Sequence, residues 1–485
     1  MDSNEENQTF WQGYFYTINS IIGSGILAIP WAYTEGGWLL GVICQAFTTS
    51  FALILAYHLI QIMSRMEVLS KLSKNGYTIL PIKFTQLFSR TFPEDFIISK
   101  KGYKDEEALL EIEDQPRISH TRYDMTEMIS VLLGRPGGIL FGVCLSVSIF
   151  GTLVAYSSIF ASSLASTVPI FGLSTCSIYE DDTGFGDDCW KKYWFYLIVL
   201  LGAVSVLVII GLKEQAGLQA FMSIMRFVVI FLMLGTSIAA LSTDTNLDNE
   251  ENNEGSLSLI NPMGIGITLP IVFMSSSFHS MIPNTIQYVN SKTVNVPKII
   301  QSAIGTVTIL FTLLGIIVPL AVSDIEGMIT LSWIDYTGGM SDQSWWSCIL
   351  MYIIVLFPAL DVLSVFPILA INLSDNLISL QYGKFAEGSI TKESFFLYRS
   401  IVIVPPIFTA FFFYSLGYIL DFTGTITLLG TGVFIPLMTI TSRKLVPQHG
   451  DFDYWFSSDR WSWFILVASF VLFAITWTFL LLWII

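Results

Sequence analysis

Apolar residues in this chain fall into long runs separated by short polar stretches. Eleven runs can be read, at 11–33, 38–63, 137–168, 193–211, 218–241, 262–289, 299–322, 345–370, 396–420, 423–441 and 461–484. A helix needs about 20 residues to cross roughly 30 Å of hydrocarbon, and the runs are of that length. No single soluble core could hide so much apolar surface. The pattern predicts an all-α polytopic membrane protein, with residues 1–485 forming one domain of eleven transmembrane helices in a lipid bilayer.

Two runs are interrupted near their centres. The first reads GSGILAIP over Gly23–Pro30, and the sixth reads SSFHSMIP over Ser276–Pro283. Gly and Ser are weak helix formers, a Gly costing about 1 kcal/mol relative to Ala. Each stretch predicts an unwound segment, and each ends on Ile-Pro. Runs one to ten divide into two sets of five, 11–241 and 262–441, with an interrupted run at the head of each. Five is odd, so the second set would run upside down relative to the first. That is the inverted-repeat design of many secondary transporters, and the span at 461–484 is then an extra helix. Unwound backbone survives in a bilayer only where it lines a cavity or is buried in protein. The freed N–H groups around Gly23, Ser24 and Gly25, at the positive end of the next half-helix, suit a carboxylate. Carbonyls of the preceding half-helix suit a cation. A free amino acid carries both groups.

Charge sets the orientation. With a cytosolic N-terminus, the segments 65–135, 211–217, 290–298, 371–399 and 442–460 lie inside and hold 20 of the 23 Lys and Arg. Leaving out the long first segment, whose basic residues carry little weight, 9 remain inside against 2 outside, Lys191 and Lys192. The acidic stretch MDSNEENQTF does not resemble a cleaved signal, so the first run is expected to stay as a span. The net charge of −15 sits largely in outer loops and is read as solvating surface; there is no basic patch for nucleic acid. Cys176 and Cys189 share the outer loop 169–192 and are expected to form a disulfide on the oxidising side. The segment 65–135 is a long, polar cytosolic loop. Its end, TRYDMTEMISVLLG, spaces Met125, Met128, Ile129 and Leu132 as an amphipathic helix on the inner membrane face.

An ionisable side chain at mid-span costs at least about 2.5–3.5 kcal/mol, so those that occur tend to be functional. Arg226 in the fifth run and Asp361 in the eighth each lie about nine residues from the inner end, roughly 13 Å deep. Equal depth allows an ion pair, with Ser364 one turn beyond Asp361 on the same face. The plainer reading has Arg226 snorkelling inward and Asp361 capping a proline-loosened turn. His279 follows Ser275, Ser276 and Ser277 at the second interruption and is expected to bind substrate or sense pH. The serines would add hydroxyl and backbone contacts, and Tyr156 in GTLVAYSS would close the pocket. Asp421 is expected in the outer turn between the ninth and tenth runs, in solvent.

The stretch from Asn19 to Pro30, NSIIGSGILAIP, followed by Gly36-Gly37-Trp38, resembles the signature of the amino acid/auxin permease family. That family is part of the amino acid–polyamine–organocation group, which has the LeuT-type fold. FMSSSFHSMIP (273–283), LFPALDVLSVFP (356–367), GTGVFIPL (430–437) and SIMRF (223–227) add to the likeness. Together they resemble its transmembrane protein 104-like branch. The resemblance implies an eleven-span, LeuT-like carrier of amino acids, coupled to a proton or to Na+ and needing no cofactor. Its membrane would be the plasma membrane or a vacuolar or lysosomal one. It implies substrate contacts at Asn19, Ile22, Gly23, Ser24 and Gly25. In some sodium-independent relatives a cationic side chain from helix five stands where others hold sodium. Arg226 beside Asp361 would take that part here, and coupling would then ride on Asp361 or His279, because arginine keeps its proton.

An enzyme is disfavoured. The G-x-S-G motif of intramembrane serine proteases is missing, since Ile22 stands two before Ser24, and H-E-x-x-H does not occur. The alternative to a carrier is an amino-acid sensor with a transporter fold and little flux.

Overall fold

The computed structural model describes residues 9–74, 118, 125–170, 175–179, 187–210, 216–243, 257–286, 289, 291–322, 325, 327–340, 343–382 and 392–484. Among the described residues there is helix, turn and loop but no strand. The first run forms α1 (Phe10–Ile21), a 3-10 turn (Ser24–Ala28) and α2 (Ile29–Gly36). Thr9 starts α1 through a capping box, its hydroxyl accepting from the Gln12 N–H while the Gln12 side chain accepts from the Thr9 N–H. Pro30 sits in the first turn of α2, where its missing N–H has no helical partner to lose. The chain bends by 53° between the two halves.

α3 (Trp38–Lys74), α4 (Met125–Thr167), α5 (Asp188–Ile210) and α6 (Ala216–Ser242) follow. The second interrupted run forms α7 (Ile265–Ser275), a 3-10 turn (His279–Met281) and α8 (Ile282–Ile286). The remainder is α9 (Lys292–Ala321), α10 (Trp345–Tyr382), α11 (Lys392–Ala410), α12 (Leu416–Leu445) and α13 (Asp459–Ile484). By length and composition eight of the described helices are apolar enough to cross a membrane, or nine if α1 and α2 are one bent span.

α12 is the central post. Its apolar window is 83% buried, against 28% for α13, and it packs against α3, α4, α7 and α13. Peripheral helices turn large apolar side chains outward, among them Ile198, Phe231 and Phe464, as lipid-facing surfaces do.

Three boundaries depart from the sequence pattern. α3 runs past 63 to Lys74, because Met66, Val68, Leu69 and Leu72 keep a buried stripe going. Over 125–132 the side chains of Met125, Met128, Ile129 and Leu132 are buried, and this stretch is the first part of α4, set off from the rest by a kink at Gly134, φ 76°. The polar loop that precedes it lies outside the described residues, apart from Ile118. Third, the ninth run does not continue to 420. α11 ends at Ala410, and 411–415 turn the chain into α12. Asp421 is therefore inside a helix and 1% exposed, not in a solvated turn.

At the far end of α3, Arg65 is 2% exposed and donates to the Asp453 carboxylate at 2.9 Å and to Val446 O at 3.2 Å. Gln61 donates to Phe452 O at 2.9 Å. These bonds clamp the loop between α12 and α13 onto α3.

Candidate functional site

The two breaks lie against each other. A Cβ on Gly25 would stand 3.0 Å from Ser275 Cα and would overlap the Ser275 hydroxyl, so glycine permits the approach of the first 3-10 turn to α7. Both breaks open onto one cavity of about 290 Å³. Asn19, Ile22, Gly23, Gly25, Tyr156, Ser275 and Ser277 line it, as does Arg226. Tyr156 faces the first break, its hydroxyl 3.6 Å from where a Cβ on Gly23 would lie.

Arg226, on α6, ties the site together. Its Nη2 donates to both Asp361 oxygens, at 2.7 and 2.9 Å, across from α10. Its Nη1 donates to Ile22 O at 2.7 Å, Asn19 O at 3.2 Å and Asn19 Oδ1 at 2.8 Å. A helix leaves its last carbonyls without intrahelical partners and negative in potential. The guanidinium meets two such carbonyls at the end of α1 and neutralises Asp361 with its other arm.

Other candidate residues lie elsewhere. His279 is fully buried but does not line the cavity; its Nε2 lies 3.1 Å from Ala52 O on α3. Ser276 does not line the cavity either. A 3-10 turn advances each residue by about 120° rather than 100°, so the break shifts the helical phase. Ser277, Ser280 and Met281 consequently face the cavity. The Ser364 hydroxyl donates to Asp361 O, 2.8 Å away on its own helix, and not to the ion pair. Ser24 begins the first 3-10 turn. A disulfide joins Cys176 and Cys189.

The sequence reading missed the opposite wall. Ser148 and Thr152 on α4 face Thr427 and Thr431 on α12, and Ser148 and Thr427 share a hydrogen bond of 2.6 Å. Their signal was present in the chain, as hydroxyls four residues apart within two apolar runs.

The lining is one-sided. It takes residues from α1 but none from α2, and in α12 it takes Ile426, Thr427, Gly430 and Thr431 but none of the first two turns. On the other side Trp31 packs edge-on to Tyr418, ring centroids 5.4 Å apart, and a Cβ on Gly417 would overlap its indole.

Sequence comparisons fit this geometry. A family model described as transmembrane amino acid transporter protein matches residues 6–80, and one described as amino acid permease matches 126–366. A transmembrane protein 104 homolog of Drosophila melanogaster is 23% identical over 455 residues, 88% of this chain and 87% of its own. Transmembrane protein 104 of Homo sapiens is 21% identical over 445 residues, 87% and 84% of the two chains. This chain resembles the transmembrane protein 104 group. The mouse protein of that group, at 22% identity over 449 residues, covers 87% of the chain. The first family match contains the Gly23–Gly25 break, and the second contains Ser275–Ser277, Arg226 and Asp361. The chain is a multi-pass integral membrane protein, and the relatives it resembles are named as transmembrane proteins. The permease-type matches point to a transporter rather than an enzyme.

Proposed function

We propose that the protein is a secondary transporter that moves a free amino acid by alternating access. The observation that carries this reading is the meeting of two broken helices over one cavity, with Arg226 in its lining and Asp361 paired to that arginine. Irregular backbone is tolerated at membrane depth where it lines such a space, and its peptide groups can hold both ends of a zwitterion. The cavity is at the small end of ligand pockets, which suits one amino acid rather than a peptide or lipid. Arg226 is the charged residue among its described lining, and its Nη groups are already engaged. A charged substrate side chain would find no counter-charge, so the substrate class is amino acids with uncharged side chains.

In this reading the eleven apolar runs are eleven spans in a LeuT-like arrangement, the halves 11–241 and 262–441 are inverted copies, and the N-terminus is cytosolic. Arg226 is a built-in cation that replaces a sodium ion beside α1 and Asp361, so transport needs no sodium. The cavity then opens to the cytosolic side, and Trp31 and Tyr418 seal the other.

The test is uptake of radiolabelled amino acids by the purified full chain in liposomes, with and without proton and sodium gradients. Uptake of leucine or methionine exceeding that of lysine or glutamate, and unchanged by removing sodium, is expected. Absence of uptake and of counterflow for every amino acid would overturn the reading.

A further inference from the structure

Asp421 has no part in the site described above, yet it is a buried carboxyl close to it. It is 1% exposed on α12, and its Oδ1 has no hydrogen-bond partner. One turn before it, Gly417 lies against the Trp31 indole, and one turn after it, Gly424 lies against the backbone of Pro270 on α7. Residues 417, 421 and 424 share a helical face, so Asp421 sits in the seam where α12 meets the two broken segments. Thr427, which lines the cavity, is six residues on, roughly 9 Å along the helix axis.

Among the described residues, the elements that pack most on α12 bring no positive charge to this seam. The elements packed most extensively against α12 are α3, α4, α7, α13 and the Ser24–Ala28 turn, and Trp31 of α2 and Gly327 also meet it at Gly417. Along 38–56, 137–167, 265–275, 461–484 and 24–28 they carry no Lys, Arg, His, Asp or Glu. Their titratable groups there are Cys44, Cys144 and Tyr156. On the open flank, Tyr418 lies within electrostatic reach of Asp421, of Tyr414 and of Glu35. The charged group that shares this flank is another carboxylate. A buried carboxylate with neither counter-ion nor full hydrogen bonding is strongly disfavoured relative to the neutral acid.

We propose that Asp421 is the proton-binding site of the carrier: the Trp31–Gly417 seal closes over the neutral acid and not over the carboxylate. This rests on the carrier reading and assigns its coupling to a residue outside the Arg226–Asp361 pair. When the seal opens, the carboxyl meets water on that side, and a proton taken up there makes closure permissible.

Two measurements test it. The first reads the seal without substrate. Tyr418→Cys, in a background with Cys44, Cys144 and Cys348 replaced by serine, is labelled by an impermeant maleimide from the Trp31 side. With the pH dependence of maleimide chemistry itself corrected for, labelling should rise with pH, by up to about tenfold per unit where the acid titrates. It should stay low at every pH with Asp421→Asn and recover its pH dependence with Asp421→Glu. The second reads transport. Asp421→Asn should keep amino-acid counterflow and lose accumulation driven by a proton gradient. Labelling that ignores pH, or gradient-driven accumulation that survives in Asp421→Asn, overturns the proposal. Seal labelling that responds to pH in a protein that moves no amino acid would support the proton site and overturn the carrier reading alone.

Discussion

Two buried arginine–aspartate pairs invite comparison. Arg226 meets Asp361 at 2.7 Å and Arg65 meets Asp453 at 2.9 Å, and both arginines are nearly inaccessible. Their surroundings differ. Arg65 also donates from Nε to Val446 O, in a loop likewise held by Gln61, and is not among the residues that line the cavity between the two breaks. Arg226 spends its other arm on the carbonyls of an interrupted helix and borders a cavity. The same ion pair is a clamp in one place and part of a ligand-sized space in the other. What separates them is whether the groups it binds could rearrange.

The comparison is broken most directly at Arg226. Arg226→Ala should abolish uptake and lower stability by about 3–5 kcal/mol, because Asp361 is left buried without its counter-ion. Arg226→Lys should regain part of the stability but little transport, since a point charge cannot serve both the carboxylate and the α1 carbonyls. Uptake into liposomes and thermal melting of the same preparations check both statements. Arg65→Ala should cost a similar 3–5 kcal/mol in melting yet leave KM unchanged in the protein that remains folded. A raised KM would erase the distinction between the two pairs.

Smaller effects sharpen it. Gly25→Ala should cost about 1–3 kcal/mol through overlap with Ser275 and reduce uptake, whereas the same change at Gly202, which meets nothing within 4 Å, should be silent. Ser364→Ala should shift melting by about 1 kcal/mol or less, because it loses one bond to its own helix, and leave the pH dependence of uptake unaltered. A changed pH profile would return Ser364 to the coupling machinery.

How much could be read from the chain follows from where its chemistry leaves a mark. The runs were legible because a bilayer demands length, and the breaks because Gly-Ser-Gly and Ser-Ser-Ser interrupt otherwise apolar spans. Arg226 and Asp361 stood out because charge is rare at that depth. Asp421 was misplaced because Phe411–Ser415 turn the chain while still reading as mostly apolar, so composition gave no boundary there. Arg65 was hidden because α3 continues past the point where polar residues begin. His279 was aimed wrongly because spacing predicts direction only while the helix holds its period, and the break is where that period fails.

The one-sided cavity has a consequence for pharmacology. On the carrier reading proposed above, an amino-acid analogue with a bulky tail would insert its head between the two breaks and leave its tail on the open side of the cavity, jamming the carrier as a wedge jams a door. Such a compound would act from the face where α1 begins, and the same compound applied across the membrane would find Trp31 and Tyr418 shut against it.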